Sequence, residues 1–184
     1  MALLPILIYP DVRLNKVAKP VSLFDAQLMR LLDDMAETMY DARGIGLAAP
    51  QVGIARRVII IDVSEERQTP QIFINPAIIT TDGEKILHEE GCLSVPGIYE
   101  PVERPAQVGV RAQNEFGEWF EITAEGLMSV CLQHEIDHLE GKMFVDYLSP
   151  LKRNRIKSKM RKEGRKAPPS GKKRMGVRSP MRQR

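Results

Sequence analysis

The sequence predicts an α+β domain. Two segments carry helical periodicity, several β-branched runs lie between them, and no regular strand–helix alternation links those runs into parallel crossovers. The 184 residues suit one domain, and 43% hydrophobic with 28% charged residues can build a packed core.

The opening MALLPILIYP (1–10) reads as a first strand. It has no basic start and runs into Asp11 and Arg13, so it does not read as a signal peptide. No apolar run approaches the ~18 residues that cross a bilayer. Residues 22–42 read as an amphipathic helix, with Leu28, Leu31, Leu32, Met35 and Met39 on one face and Asp33, Asp34 and Glu37 on the other. Ser22 with Asp25 is a candidate capping box, and Gly44 a candidate stop. A turn-like segment follows at 44–53. The run RVIIIDV (57–63) is a strand. A second candidate, 71–79, contains Pro76, which needs an edge or a bulge. Residues 85–87 and 108–113 read as further strands, and 114–117 as a hairpin turn into 119–123. Pro96, Pro101 and Pro105 mark the stretch between as extended and irregular. Residues 126–139 form a second helix ended by Gly141, and 152–162 a third, basic one. From Gly164 onward, scattered bases and Pro168-Pro169-Ser170-Gly171 predict disorder.

Charge is unevenly spread. Residues 151–184 hold 15 of the 27 Lys and Arg and only one of the 24 acids, Glu163, so a body of net −11 carries a tail of net +14. Such a block suits a polyanion such as nucleic acid, or simply a solvated tail. The two cysteines, Cys92 and Cys131, without a secretion signal, suit a reducing, cytoplasmic compartment better than a disulfide.

The chemistry concentrates in three places. In His134-Glu135-Ile136-Asp137-His138 the histidines stand four apart, so on a helix both rings face one metal ion, and Glu135 projects nearby as a general base. A hydrolytic site needs a third ligand, and no histidine follows His138. Upstream donors are His88, Glu89, Glu90 and Cys92. Of these Cys92, beside Gly91 in a loop-like stretch, is a good soft ligand. Cys131 stands one turn before His134 and reads as a pocket-lining residue. The third place is Gly44-Ile45-Gly46-Leu47-Ala48-Ala49-Pro50-Gln51-Val52-Gly53. It is no phosphate loop, and its Gln51 amide can donate to a developing oxyanion.

Together, G-I-G-L-A-A-P-Q-V-G at 44–53, E-G-C-L-S-V-P-G at 90–97 and Q-H-E-I-D-H-L-E-G at 133–141 resemble the three signature motifs of bacterial peptide deformylases, in the family's order. The likeness extends over residues 3–163, from Pro10-Asp11-Val12-Arg13-Leu14 to Asp146-Tyr147-Leu148-Ser149-Pro150-Leu151. The resemblance implies Cys92, His134 and His138 as ligands of one divalent metal. Ferrous iron (Fe2+) is the family's natural ion, and Zn2+, Ni2+ or Co2+ can substitute. It implies Glu135 as the general acid/base, with Gln51 and the N–H of Leu93 stabilising the oxyanion. The backbone of Ile45 and Gly46 would hold a formyl-Met nascent peptide. Ile45, Glu90, Leu127, Val130, Cys131 and His134 would surround the methionine side chain, and Gly91 would also be a substrate-binding residue. Glu90 and Arg104 would pair to brace the Cys92 segment, and His88 reads as a non-ligand.

The expected fold is therefore antiparallel or mixed small sheets packed around a central H-E-x-x-H helix, with a C-terminal helix. The expected organisation is a catalytic domain at 1–150, a basic C-terminal helix at 151–166 and a basic disordered tail at 167–184. The basic C-terminus is expected to meet the ribosome, through its RNA or protein, with no membrane partner and a monomeric chain. Two other readings stay open on the residues alone: a zinc metallopeptidase of the H-E-x-x-H type, and an RNA-binding module with structural histidines.

Overall fold

The computed structural model describes residues 2–166. Helix α1 spans Ala26–Asp41; strands β1 to β5 span Gly46–Ala48, Val58–Ile61, Gln71–Cys92, Val95–Gln113 and Trp119–Glu125; helix α2 spans Gly126–Leu139 and α3 Pro150–Lys166. The five strands form one sheet in the order β1-β2-β3-β4-β5, every neighbouring pair antiparallel. The fold is α+β, but a single sheet replaces the several small ones expected.

The apolar run in β2 explains how the layers stack. Ile59 and Ile61 pack in one cluster with Leu132, Ile136 and Leu139 of α2, while Val58 and Ile60 pack in another with Leu28, Leu32, Met35 and Met39 of α1. Successive side chains of a strand point to opposite faces, so α1 and α2 cover the two sides of the sheet and the strand is apolar throughout. A third cluster joins Leu14, Val95, Val102, Phe144 and Val145 to Ile156 and Met160, which stand four apart on one face of α3.

Several sequence expectations need correction. Residues 2–10 form no strand; they are held singly, Leu7 N–H to the carbonyl of Gln51 at 2.7 Å and Tyr9 N–H to that of Ser94 at 2.8 Å. Helix α1 starts at Ala26, so Asp25 is its N-cap, accepting from the N–H groups of Gln27 and Leu28, and no Ser22–Asp25 capping box forms. The segments read as separate short strands at 71–79 and 85–87 are parts of one 22-residue strand. The stretch read as irregular around Pro101 and Pro105 is the first half of β4. Among the described residues β4 there pairs only with β3, because β5 begins its pairing at Gln107. One edge is open, and a proline on it withholds no ladder donor. Pro76 falls at a register shift between Ile74 and Ala77. Helix α3 runs to Lys166, so Gly164–Lys166 are helical, and the disorder expected of 167–184 lies outside the described residues. Among the described residues no helix is long and apolar enough to cross a membrane.

Candidate metal centre and substrate cleft

Helix α2 begins directly after β5, and Gly126 at the junction has φ +58°, a left-handed conformation that glycine adopts without strain. The helix then presents Leu127, Val130, Cys131 and His134 to one cavity, at spacings of three and four residues. Cys92 ends β3 and pairs with Val95 across the two-residue turn Leu93–Ser94, so the segment read as a loop is a tight hairpin tip. The hairpin and α2 meet at the metal-ligand candidates. One donor atom each from Cys92, His134 and His138 lie within 4.8 Å of one another. Cys92 Sγ is 3.4 Å from His138 Nε2, and the two imidazole centroids are 5.1 Å apart.

A thiolate with two imidazoles is a donor set that suits iron(II), zinc, nickel or cobalt. Burial, helped by the neighbouring His134, pulls the His138 imidazole well below its ordinary pKa and keeps it neutral. At His134 burial is outweighed by contacts with Cys92 and Glu90, which raise the imidazole well above its ordinary value, so a metal there takes the place of a proton. Glu135 Oε2 and His138 Nδ1 are buried with no partner among the described residues. The residues present fit a bound divalent ion.

Around these ligands stands a buried polar frame. Glu90 Oε2 lies 2.8 Å from His134 Nδ1, and the same carboxylate takes a two-pronged pair from Arg104, with Nη2 donating at 2.9 Å. Arg104 Nη1 reaches Asp137 Oδ2 at 2.9 Å, which also accepts from Tyr147 Oη at 2.8 Å. Burial pushes the Glu90 carboxyl up, but hydrogen bonds from His134 and Arg104 outweigh it and hold it at about 2. Glu135 has no such partners. Burial pushes its carboxyl up to about 7; the charge of His134 acts against this, and that of Glu90 with it. Gln51, 1% exposed, is fixed at both ends: Oε1 accepts from Ala48 N–H at 2.9 Å, so Nε2 faces Cys92 Sγ at 3.4 Å and Ser94 Oγ at 3.1 Å.

The cavity holds about 600 Å³, enough for a short peptide segment. Its walls include Ile45, Gly46, Gln51, Glu90, Gly91, Cys92, Leu93, Leu127, Val130, Cys131, His134 and Glu135. Burial pushes the Cys131 thiol up to about 12, leaving it a neutral wall residue. Arg104 and His138 stand outside these walls. His88 does line the cavity, though it is no member of the Cys92–His134–His138 group. Sequence reasoning gave no role to Ser94, Asp137 or Tyr147, nor to Tyr99 and Arg43, which also line the cavity. Asp137 is the one with a readable signal, an acid inside the H-E-I-D-H turn that a buried arginine would seek.

The polypeptide deformylase family model matches residues 3–154. The chain belongs to the peptide deformylase family. It is 62% identical over 162 residues to peptide deformylase 1 of Burkholderia multivorans, covering 88% of this chain and 90% of that protein. It is 57% identical over 163 residues to the peptide deformylase of Cellvibrio japonicus, covering 89% and 96%. The crystal structure of a peptide deformylase from Legionella pneumophila superposes with a TM-score of 0.85 at 50% identity, covering 91% of this chain and all of that one. The Ehrlichia chaffeensis deformylase, solved in complex with actinonin, gives 0.86 at 40%, covering 90% and 99%. As a peptide deformylase, the chain is a metal-dependent hydrolase that removes the formyl group from N-terminal methionine. The metallopeptidase and RNA-module readings are set aside by this membership.

Proposed function

We propose that Cys92, His134 and His138 hold one divalent ion, Fe2+ in the natural state with Zn2+, Ni2+ or Co2+ as substitutes, and that Glu135 is the general acid/base of deformylation. The convergence of the three donor atoms beside the buried, unpaired Glu135 carboxylate carries the reading. When bound, such an ion acts as a Lewis acid and lowers the pKa of water toward ~7.

The chain's own groups divide the remaining work. Ile45 and Gly46 offer backbone hydrogen bonds to an extended formyl-Met peptide. Ile45, Glu90, Leu127, Val130, Cys131 and His134 enclose the methionine side chain, with Gly91 beside the peptide. Glu135, with its pKa near 7, accepts a proton from the attacking water and returns it to the leaving amine. The C–N bond of the formamide breaks, and formate and a free α-amine leave. In this reading Gln51 Nε2 and the N–H of Leu93 receive the negative charge that grows on the formyl oxygen, each such donor being worth ~3 kcal/mol of barrier. Arg104 acts through Glu90, which orients His134.

Residues 1–150 form the catalytic domain in this reading, 151–166 a basic helix and 167–184 a basic tail. Lys152, Arg155, Lys159, Arg161, Lys162 and Arg165 are all exposed on α3 and form a surface for ribosomal RNA or protein. The chain works as a cytoplasmic monomer on nascent peptides. Anaerobic formate release from formyl-Met-Ala-Ser tests the reaction. Wild type should turn over and Glu135→Ala should not, while an active Glu135→Ala protein would remove Glu135 from the chemistry.

A further inference from the structure

The cleft wall at Gly44–Gly46 is fixed from behind by a loop that the reaction itself does not use. Arg67 donates from Nη2 to the carbonyl of Gly44, and its Cζ lies 5.8 Å from the centroid of the Tyr40 ring. Tyr40 Oη donates to Asp62 Oδ2 at 2.6 Å, and Asp62 N–H donates to the carbonyl of Ile45 at 2.8 Å. Asp62 also closes its own loop, accepting from Ser64 Oγ at 2.6 Å and Thr69 N–H at 3.0 Å. Two consecutive carbonyls, Gly44 and Ile45, are thus capped from the side away from the cleft. Arg67 has φ +55°, a left-handed conformation that a side-chain-bearing residue keeps only where its surroundings over-determine it.

The segment these contacts hold has little room. A Cβ on Gly44 would stand 2.5 Å from Leu93 Cδ1, and one on Gly46 would collide with Glu135 Oε1. Among the described residues the β1 strand that begins at Gly46 pairs on one side only, with β2. Ala48 N–H is taken by Gln51 Oε1, and the main chain at Gly46 has no described strand beside it on the other side, an edge to which an extended peptide adds through main-chain hydrogen bonds. A peptide plane free to turn between residues 44 and 45 would misdirect that edge.

We infer that Arg67 is a positioning residue for the peptide substrate: by holding the Gly44 carbonyl it fixes the edge along which the peptide backbone lies. The inference rests on the proposed pairing of substrate with Ile45 and Gly46. A peptide long enough to use the edge should need Arg67 more than a minimal substrate does.

The test compares metal-loaded, full-length wild type with Arg67→Met, which keeps the stem over Tyr40 and removes the donor, and Arg67→Lys, which restores a donor. Arg67 Nε is buried without a partner among the described residues, so what Arg67→Met leaves unpaired is the Gly44 carbonyl held by Nη2, the group that Arg67→Lys can serve again. For formyl-Met-Ala-Ser, KM should rise about tenfold in Arg67→Met and about threefold in Arg67→Lys, with kcat within about twofold, the size expected for one charge-assisted hydrogen bond. For formyl-methionine amide both KM values should stay close to wild type. An unchanged tripeptide KM in whichever variant folds, or equal losses on both substrates, overturns the inference. Should wild type release no formate at all, the proposed reaction fails instead. Arg67 is then judged by the affinity of wild type and Arg67→Met for the product Met-Ala-Ser: about tenfold weaker binding in the variant supports it, and equal binding overturns it.

Discussion

Oε2 of Glu90 lies 2.8 Å from Nδ1 of His134. That contact assigns the proton to Nδ1 and leaves Nε2 as the ring's free donor, the arrangement in which a carboxylate orients and strengthens a metal-binding imidazole. The carboxylate is itself held by Arg104, whose side chain is 4% exposed, and Arg104 is held by Asp137. Glu90→Gln keeps the shape and removes the charge. We expect metal affinity to fall roughly 10–100-fold in chelator competition. Arg104→Ala leaves the Glu90 charge buried without its cation and should cost about 3–5 kcal/mol in denaturant unfolding.

The metal and proton roles separate by mutation. Cys92→Ala removes one of three donors and should abolish stoichiometric metal, read by elemental analysis after gel filtration. Glu135→Gln leaves all three donors and should keep the metal while kcat falls by about 10²–10⁴. A Glu135→Gln protein that loses its metal would make Glu135 a structural residue.

Gly46 packs directly against the Glu135 carboxylate. Gly46→Ala forces that side chain to move, so kcat/KM should drop at least about tenfold, with an overpacking cost of about 1–3 kcal/mol. A crystal structure of the variant should show Glu135 displaced. Full activity would mean that the carboxylate tolerates a different place.

Tyr40 and Asp62 should shape the pH profile of stability. Burial pushes the Asp62 carboxyl up, but hydrogen bonds from Ser64, Tyr40 and Thr69 outweigh it and hold it at about 2. A depressed acid stabilises the fold fully above its unfolded pKa near 4, and that stability is lost as pH falls toward 2. Burial, with the hydrogen bond to Asp62, raises Tyr40 to about 12, so its contribution is present below pH 10 and disappears as pH climbs through 12. Tyr40→Phe should flatten the alkaline limb and Asp62→Asn the acid limb of unfolding midpoints measured across pH. Unaltered slopes would remove the pair from this role.

Helix α3 has two faces with different work. Ile156 and Met160, 6% and 3% exposed, pack with Phe144 and Val145, while Lys152, Arg155, Lys159, Arg161, Lys162 and Arg165 are exposed. Ile156→Ala should cost about 2–5 kcal/mol with kcat/KM little altered. A chain ending at Lys166 should keep formyl-peptide activity and bind ribosomes less tightly, most visibly at low salt. Equal ribosome affinity would exclude the tail from binding.

What could be read in the sequence was local. The boundaries of α2 and the i, i+4 placement of His134 and His138 follow from helical spacing, and RVIIIDV reads as a strand from its β-branched run, whose core Val58–Ile61 forms β2. The joining of Cys92 to that helix was reached through family resemblance; spacing alone left His88, Glu89 and Glu90 as rival donors. The β3–β4 hairpin was hidden because its prolines and glycines punctuate the chain as turns do. Only the open edge of β4 and the register shifts make them harmless there. Arg67 carries no local signature, since it acts on a partner distant in sequence, Gly44; Asp137 shows only as an acid inside the H-E-I-D-H turn, and its partner Arg104 is just as distant.

X-ray absorption at the metal edge of the zinc-loaded protein probes the proposed coordination sphere itself. We expect one sulfur at about 2.3 Å and two imidazole nitrogens at about 2.0–2.1 Å, with the sulfur shell lost in Cys92→Ser. A shell of nitrogen and oxygen alone in the wild-type protein would mean that Cys92 is not a ligand, and the proposed site would fail with it.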